Sequence, residues 1–279
     1  MGETTGTEDK GLAADGTIRR EGSLKHVHAD FAPVVEAARV RITEAFGPER
    51  LHSAYLYGSI PRGTAIPGVS DLDLLVALHD GPTGPDRAAA EETGAALDSA
   101  FPVIDGVGLL LSPVRTLLSE AERDDGGFFI ACLCTPLLGE DLAARLPRYR
   151  PTSLLARETN GDLALLVPRW RARAAGATTD EERMRLSRGV ARRLVRSAFT
   201  LVMPRWGGWT SDLHRSAELF ARHYPDHPER ASQVRAAAAT ARTPSPEPAV
   251  LAMFIEDLGP WLAAEYTAAH GTKTPRTGE

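Results

Sequence analysis

The sequence predicts an α+β protein in two parts, a first half in which short strands alternate with helices and a second half of helices alone. Three observations point there. Short apolar runs over residues 54–57, 70–78 and 101–113 are set off by Gly, Pro and Asp clusters. Between them lie segments whose apolar residues recur at steps of three and four. Beyond residue 153 only the helical period is seen, and 279 residues suffice for two modest domains.

Taken in order, residues 1–24 are polar, Gly/Thr-rich and mixed in charge, and are expected to form a disordered tail. Phe31, Val34, Val35, Ala38, Ile42 and Phe46 make one face of a helix over 30–46, which Gly47-Pro48 stops. A strand over 54–57 leads to Gly58-Ser59 and a turn-rich connector, and a second strand runs from Ser70 to about Leu78. An Ala-rich helix over 86–100 follows. FPVIDGVGLLLSP, residues 101–113, reads as a third strand with Asp105 inside it. Residues 114–125 are an acidic helix or loop, and 128–138 a helix or a strand.

Pro147 and Pro151 break the pattern, which puts the domain boundary near 148–153. Residues 154–175 read as one helix. Residues 180–203 are the clearest helix, with an apolar line Leu186, Val190, Leu194, Ala198, Leu201, Val202 and a second line Arg185, Arg188, Arg192, Arg196. That arginine line either faces solvent or meets a phosphate. PRWGGWTSD interrupts before a helix over 212–222, and helices over 231–241 and 249–269 complete the half.

Composition narrows the function classes. Apolar content of 43% and charged content of 25% are ordinary for a globular protein. A net charge of −5 gives no general attraction for polyanions, so a nucleic-acid partner is not expected. No apolar run approaches the roughly 20 residues that cross a bilayer. Cys132 and Cys134 are too close for an ordinary disulfide and have no companions for a zinc site. Reduced cysteines and an N-terminus without a signal-peptide pattern lead us to expect a cytoplasmic protein.

The chemistry concentrates in YLYGSIPRGTAIPGVSDLDLLV, residues 55–76. In a strand, positions i and i+2 share a face, so Asp71 and Asp73 point the same way with Leu72 and Leu74 behind them. Neighbouring carboxylates repel. A divalent cation shared with a triphosphate removes that repulsion, and carboxylates with substrate phosphates are the usual magnesium ligands. Gly58 permits close approach of a phosphate, and Ser59 adds a hydroxyl and an N–H. The plainer alternative is an edge strand whose polar face happens to be acidic.

This stretch resembles the signature of the nucleotidyltransferase superfamily of the DNA polymerase β type. The longer pattern Gly58-Ser59-x-x-Arg62-Gly63-Thr64-Ala65, then Ser70-Asp71-x-Asp73-Leu74, is similar to the branch that holds the aminoglycoside adenylyltransferases. The resemblance implies a catalytic domain over 25–150 with a small mixed β-sheet flanked by helices and an all-α substrate-binding domain over 151–270; the residues after His270, 271–279, are expected to form a disordered tail. LLGEDL at 137–142 resembles the phrase that ends the first of these domains.

For activity, the resemblance implies transfer of a nucleoside monophosphate, AMP from ATP foremost, to a hydroxyl of a small molecule such as an aminoglycoside, with two Mg²⁺ ions. Asp71 and Asp73 are the expected metal ligands. Asp105 is the candidate third carboxylate and base, unless it is only a turn residue before Gly106. Gly58, Ser59, Arg62, Ser70, Arg192 and Arg196 are the candidate nucleotide contacts. Trp209 and Asp212 are candidates for the acceptor site, the alternative being a core Trp and a helix cap. The acidic stretches 120–125 and 180–182 are expected to attract a cationic acceptor. Other acceptors (a protein, tRNA or a metabolite) and a nucleotide-binding regulator without turnover stay open.

Overall fold

The computed structural model describes residues 8–276, which form two compact units. One comprises residues 19–149. The other comprises residues 150–276 together with residues 8–18. The chain therefore passes between the units twice.

The first unit is built on a four-stranded mixed sheet in the order β3-β2-β1-β4, with β1 Leu51–Tyr57, β2 Leu72–Leu78, β3 Val107–Pro113 and β4 Thr135–Gly139. β1 pairs antiparallel with β2 and β4, while β2 and β3 run parallel across an intervening helix. Period-2 alternation divides β2 between two cores. Leu72, Leu74, Val76 and Leu78 pack with α1 (Ala32–Arg50) and α3 (Gly84–Ala100), through Val34, Ala38, Ile42 and Leu97. Leu75 and Ala77 pack on the other face with Tyr55, Leu117, Ile130, Cys134 and Leu142. The expected stop at Gly47 appears as a kink inside α1, where Gly47 adopts φ 59°, ψ 172°.

Two short helices, α2 (Ser59–Arg62) and α4 (Val114–Leu117), flank the strands, and α5 (Gly126–Phe128) runs into a π-turn over Phe129–Leu133 before β4. The ambiguous stretch 128–138 is thus part helix and part strand. Neither Cys132 nor Cys134 is in a disulfide; both are buried, and burial pushes both thiols upward, Cys132 to about 12. Arg50 closes the far end of the sheet on Asp86, with Nη2–Oδ2 at 2.6 Å. Asp86 also receives the Thr83 N–H and hydroxyl in a capping box at the start of α3. The hydrogen bond from Arg50, with those from Thr83, holds this carboxyl well below the usual range.

The second unit is helical: α6 (Ser153–Asn160), α7 (Leu163–Gly176), α8 (Asp180–Trp206), α9 (Leu213–His223), α10 (Pro228–Arg242), α11 (Pro248–Ala252) and α12 (Gly259–His270). The single helix expected over 154–175 is two, because Gly161 and Asp162 interrupt it. α8 opens on a capping box between Thr179 and Glu182 and buries the predicted line from Val190 to Val202. Its core holds one polar knot: Tyr266 donates to the Ala156 carbonyl at 2.5 Å and to the Thr200 hydroxyl at 3.0 Å, and Asn160 donates to that hydroxyl at 3.1 Å.

Within the described residues both expected tails make hydrogen bonds and ion pairs. Lys10 donates its ammonium to the Trp206 carbonyl at 2.8 Å, and its own carbonyl accepts the Trp209 N–H at 2.8 Å. Glu8 pairs with Arg215 and Arg222. Residues 19–24 join the first unit, where Arg20 grips Asp141 at 2.8 and 3.2 Å and the Glu21 N–H reaches the Cys132 carbonyl at 2.9 Å. At the other end Thr274 and Arg276 bond to the buried Glu158 at 2.8 and 3.1 Å. These segments are polar in composition and are held mainly by backbone and ionic contacts, with Ile18 buried as well. Residues 1–7 and 277–279 lie outside the described residues.

Removing residues 1–18 should cost the helical unit about 2–4 kcal/mol in lost hydrogen bonds. Amide exchange is expected to quicken over 203–216 and to stay unchanged in β1 and β2. The depressed Asp86 carboxyl contributes stability that is present above the ordinary value of 3.8 and fades as pH falls below it. Asp86→Asn should lose about 2 kcal/mol at pH 7 and flatten the acid limb of a urea-unfolding profile.

Candidate active site

β1 ends at Tyr57, and the next residue cannot carry a side chain. Gly58 has φ 81°, ψ −151°, a conformation essentially restricted to glycine. A Cβ placed there would lie 2.4 Å from Asp73 Oδ2. The Asp73 carboxylate therefore occupies the space that any other residue at 58 would fill. Asp73 stands opposite Tyr57 in β1 and level with Gly108 in β3. From Gly108 a Cβ would lie 3.1 Å from Asp73 Oδ1. Thus two glycines on the flanking strands frame one carboxylate.

The face of this site follows from parity. Leu72 and Leu74 are buried against α1 and α3. Asp71 and Asp73 take the opposite face, the one that Leu75 and Ala77 continue into the second core. Both acids are half-buried at the mouth of β2. Backbone bonds hold the segment extended up to Ser70: the Leu72 N–H reaches the Gly106 carbonyl at 2.9 Å and the Asp105 N–H the Ser70 carbonyl at 3.1 Å.

The remaining candidates divide clearly. Ser59 opens α2, and its carbonyl accepts the Thr64 N–H at 3.1 Å. The Ser70 hydroxyl accepts the Ile66 N–H at 2.9 Å and so braces the connector rather than pointing its oxygen outward. Arg62 is ion-paired with Glu21 at 3.6 Å. Asp105 requires a correction. β3 begins at Val107, and Asp105 sits exposed in the turn before it, where Pro102 and Gly106 favour a turn over a strand. The residue level with Asp73 is Gly108, which the sequence reading missed because strand register is set by tertiary pairing. Among the described residues no group of three or more His, Cys, Asp or Glu is arranged to hold a metal ion.

Arg192, Arg196, Trp209 and Asp212 all belong to the helical unit. Arg192 is half-buried and Arg196 exposed on α8, while Arg185 of the same line pairs with Glu181 at 2.7 Å. Trp209 is a core residue, its ring edge-on to Phe199 at 5.6 Å. Asp212 caps α9 by accepting the Arg215 N–H at 2.6 Å. The acids at 180–182 are likewise engaged, Asp180 with Arg183, Glu181 with Arg185 and Glu182 in the capping box. Glu120 pairs with Arg123 at 2.5 Å.

Residues 41–109 match the family model described as a nucleotidyltransferase domain. The matched span holds β1, Gly58-Ser59, both acids and Gly108, and the first unit thus carries a nucleotidyltransferase domain. Comparison with curated proteins gives no match. Among solved structures, a spectinomycin adenyltransferase from Enterococcus faecialis, solved with ATP and spectinomycin, is similar at 13% identity and a TM-score of 0.48, over 83% of this chain and 99% of that one.

Gly58→Ala is expected to lose about 1–3 kcal/mol from backbone strain, with the clash on Asp73 added. Gly108→Ala, at a position without positive φ, should lose less. Urea unfolding of the two variants beside the wild type checks the difference.

Proposed function

We propose that this protein transfers a nucleoside monophosphate, AMP from ATP foremost, to a hydroxyl of a small-molecule acceptor and releases pyrophosphate. The observation that carries it is the pair Asp71 and Asp73 at the mouth of β2, with the Asp73 carboxylate seated against Gly58 inside the matched domain. Two carboxylates on one face suit a hard cation that also takes phosphate oxygens, so magnesium chelated with an NTP is the group this donor set fits. When bound, the ion would neutralise phosphate charge and polarise the α-phosphoryl group.

The residues then have distinct tasks. Asp71 and Asp73 would hold the metal-chelated phosphates at the mouth of β2. Gly58, with no side chain, lets the backbone approach the phosphates, and the Ser59 N–H and hydroxyl are available as donors. Arg62, paired with Glu21, supplies guanidinium N–H donors beside the turn. The acceptor oxygen attacks the α-phosphorus. As that O–P bond forms, the bond to the bridging oxygen breaks, pyrophosphate leaves with the electron pair, and the hydroxyl proton passes to solvent.

For the acceptor we favour an aminoglycoside-like polyhydroxyl compound, on the strength of the extended motif from Gly58 to Leu74. Since Trp209 and Asp212 have structural duties, acceptor recognition by them rests on the motif resemblance alone. A nucleotide-binding protein with slow or no turnover is the second reading, favoured by the exposed turn position of Asp105. No helix among the described residues is long and apolar enough to cross a membrane.

Pyrophosphate release measured with each NTP, Mg²⁺ and a panel of aminoglycosides including streptomycin and spectinomycin tests the proposal. Release should require one acceptor and fall at least about tenfold, on the order of 1.4 kcal/mol in barrier or more, in Asp71→Asn and in Asp73→Asn. Circular dichroism should show both variants folded. Mg²⁺-dependent NTP binding with no release for any acceptor would favour the second reading.

A further inference from the structure

We propose that the phosphate site of this protein holds one divalent cation rather than two, because the strand beside Asp73 presents Gly108 where a third carboxylate would have to stand. The inference rests on the function proposed above and concerns the stoichiometry of its metal.

The argument is one of strand parity. β2 and β3 are parallel and in unbroken register from Leu72–Val107 to Leu78–Pro113. Side chains level with one another on adjacent strands share a face. Val107, Leu109 and Leu111 pack on the core that α1 and α3 cover, as do Leu72 and Leu74. The face of Asp71 and Asp73 therefore receives only Gly108, Leu110 and Ser112 from β3. None of these is acidic. On the other side of Asp73, β1 offers Tyr55 and Tyr57 to the same face, both of which belong to the second core. β4, with the sequence TPLLG, has no acid at all.

Asp105, the one acid near the start of β3, does not substitute. It is exposed in the turn before β3, outside the paired register, and Gly106 with φ 114° separates it from the strand. An ideal Cβ at 108 would lie 3.1 Å from Asp73 Oδ1, closer than ordinary contact, so a carboxylate at 108 would stand directly beside that of Asp73.

Charge and coordination then limit the site. Two carboxylates, triphosphate oxygens and water complete the roughly six oxygen ligands of one magnesium ion. A second dication about 4 Å away would be repelled with four times the unit-charge interaction. Among the described residues no third His, Cys, Asp or Glu joins Asp71 and Asp73 in a metal-binding group, so the second ion lacks a ligand of its own.

Counting Mn²⁺ by electron paramagnetic resonance tests this, using the full-length protein saturated in turn with the α,β-methylene analogues of ATP, GTP, CTP and UTP. The wild type should bind one nucleotide-dependent Mn²⁺ per bound nucleotide. Gly108→Asp should raise the count to two, and Gly108→Ala should keep it at one. Two ions in the wild type would overturn the inference while leaving the proposed function standing. Gly108→Asp remaining at one would overturn the assignment to residue 108. No nucleotide-dependent Mn²⁺ with any analogue would overturn both. Should Gly108→Asp not fold, the wild-type count alone decides.

Discussion

The arrangement of the first unit depends on one steric exclusion. Asp73 can lie against β1 only because Gly58 has no Cβ, and Gly58 can turn the chain out of β1 only because it adopts φ 81°. The two demands fall on the same residue. The turn sends the chain into α2 and away from the sheet, and the connector returns it antiparallel as β2 with Asp73 opposite Tyr57. The chain direction, the start of β2 and the seating of the carboxylate are consequences of a single atom left out.

Around that point the sheet spends its two faces differently. One face is apolar along its whole length, covered by α1 and α3, and anchors the strands. The other is apolar only where Tyr55, Leu75 and Ala77 meet the second core, and turns acidic toward the mouth of β2. Hydrophobic burial at one end of a strand thus holds two carboxylates half-exposed at the other, where they can meet a charged ligand without full desolvation. The nearby thiols take no part in this: burial keeps Cys132 and Cys134 protonated.

The helical unit is organised by different forces. Its long helix α8 is capped at one end by Thr179 and Glu182 and ends at Gly207, whose φ is 69°. Tyr266, Thr200 and Asn160 satisfy one another in the interior, which ties three helices through polar atoms where apolar packing alone would leave the register loose. The N-terminal strap over residues 8–18 adds backbone hydrogen bonds and charge pairs to the same unit. Arginine is the main partner throughout, and much of the α8 arginine surface is engaged locally, Arg183 with Asp180, Arg185 with Glu181 and Arg193 with Asp162.

Local sequence carried most of the elements and the backbone pattern around Gly58 and Asp73. Gly58-Ser59 and Asp71-x-Asp73 could be read because a glycine-only turn and a period-2 acid pair are written in adjacent residues, and the helical faces of α1 and α8 because apolar burial imposes its spacing on neighbours. What the tertiary structure decided lies between residues distant in the chain. Register across β2 and β3 set Gly108, not Asp105, beside Asp73. Capping and core packing gave Asp212 and Trp209 their places. Scattered backbone and ionic partners ordered residues 8–24 and 271–276, where composition alone suggested tails. Spacing along a chain encodes the face a side chain takes on its own element; which residue of another element stands beside it is settled by pairing that no local pattern carries.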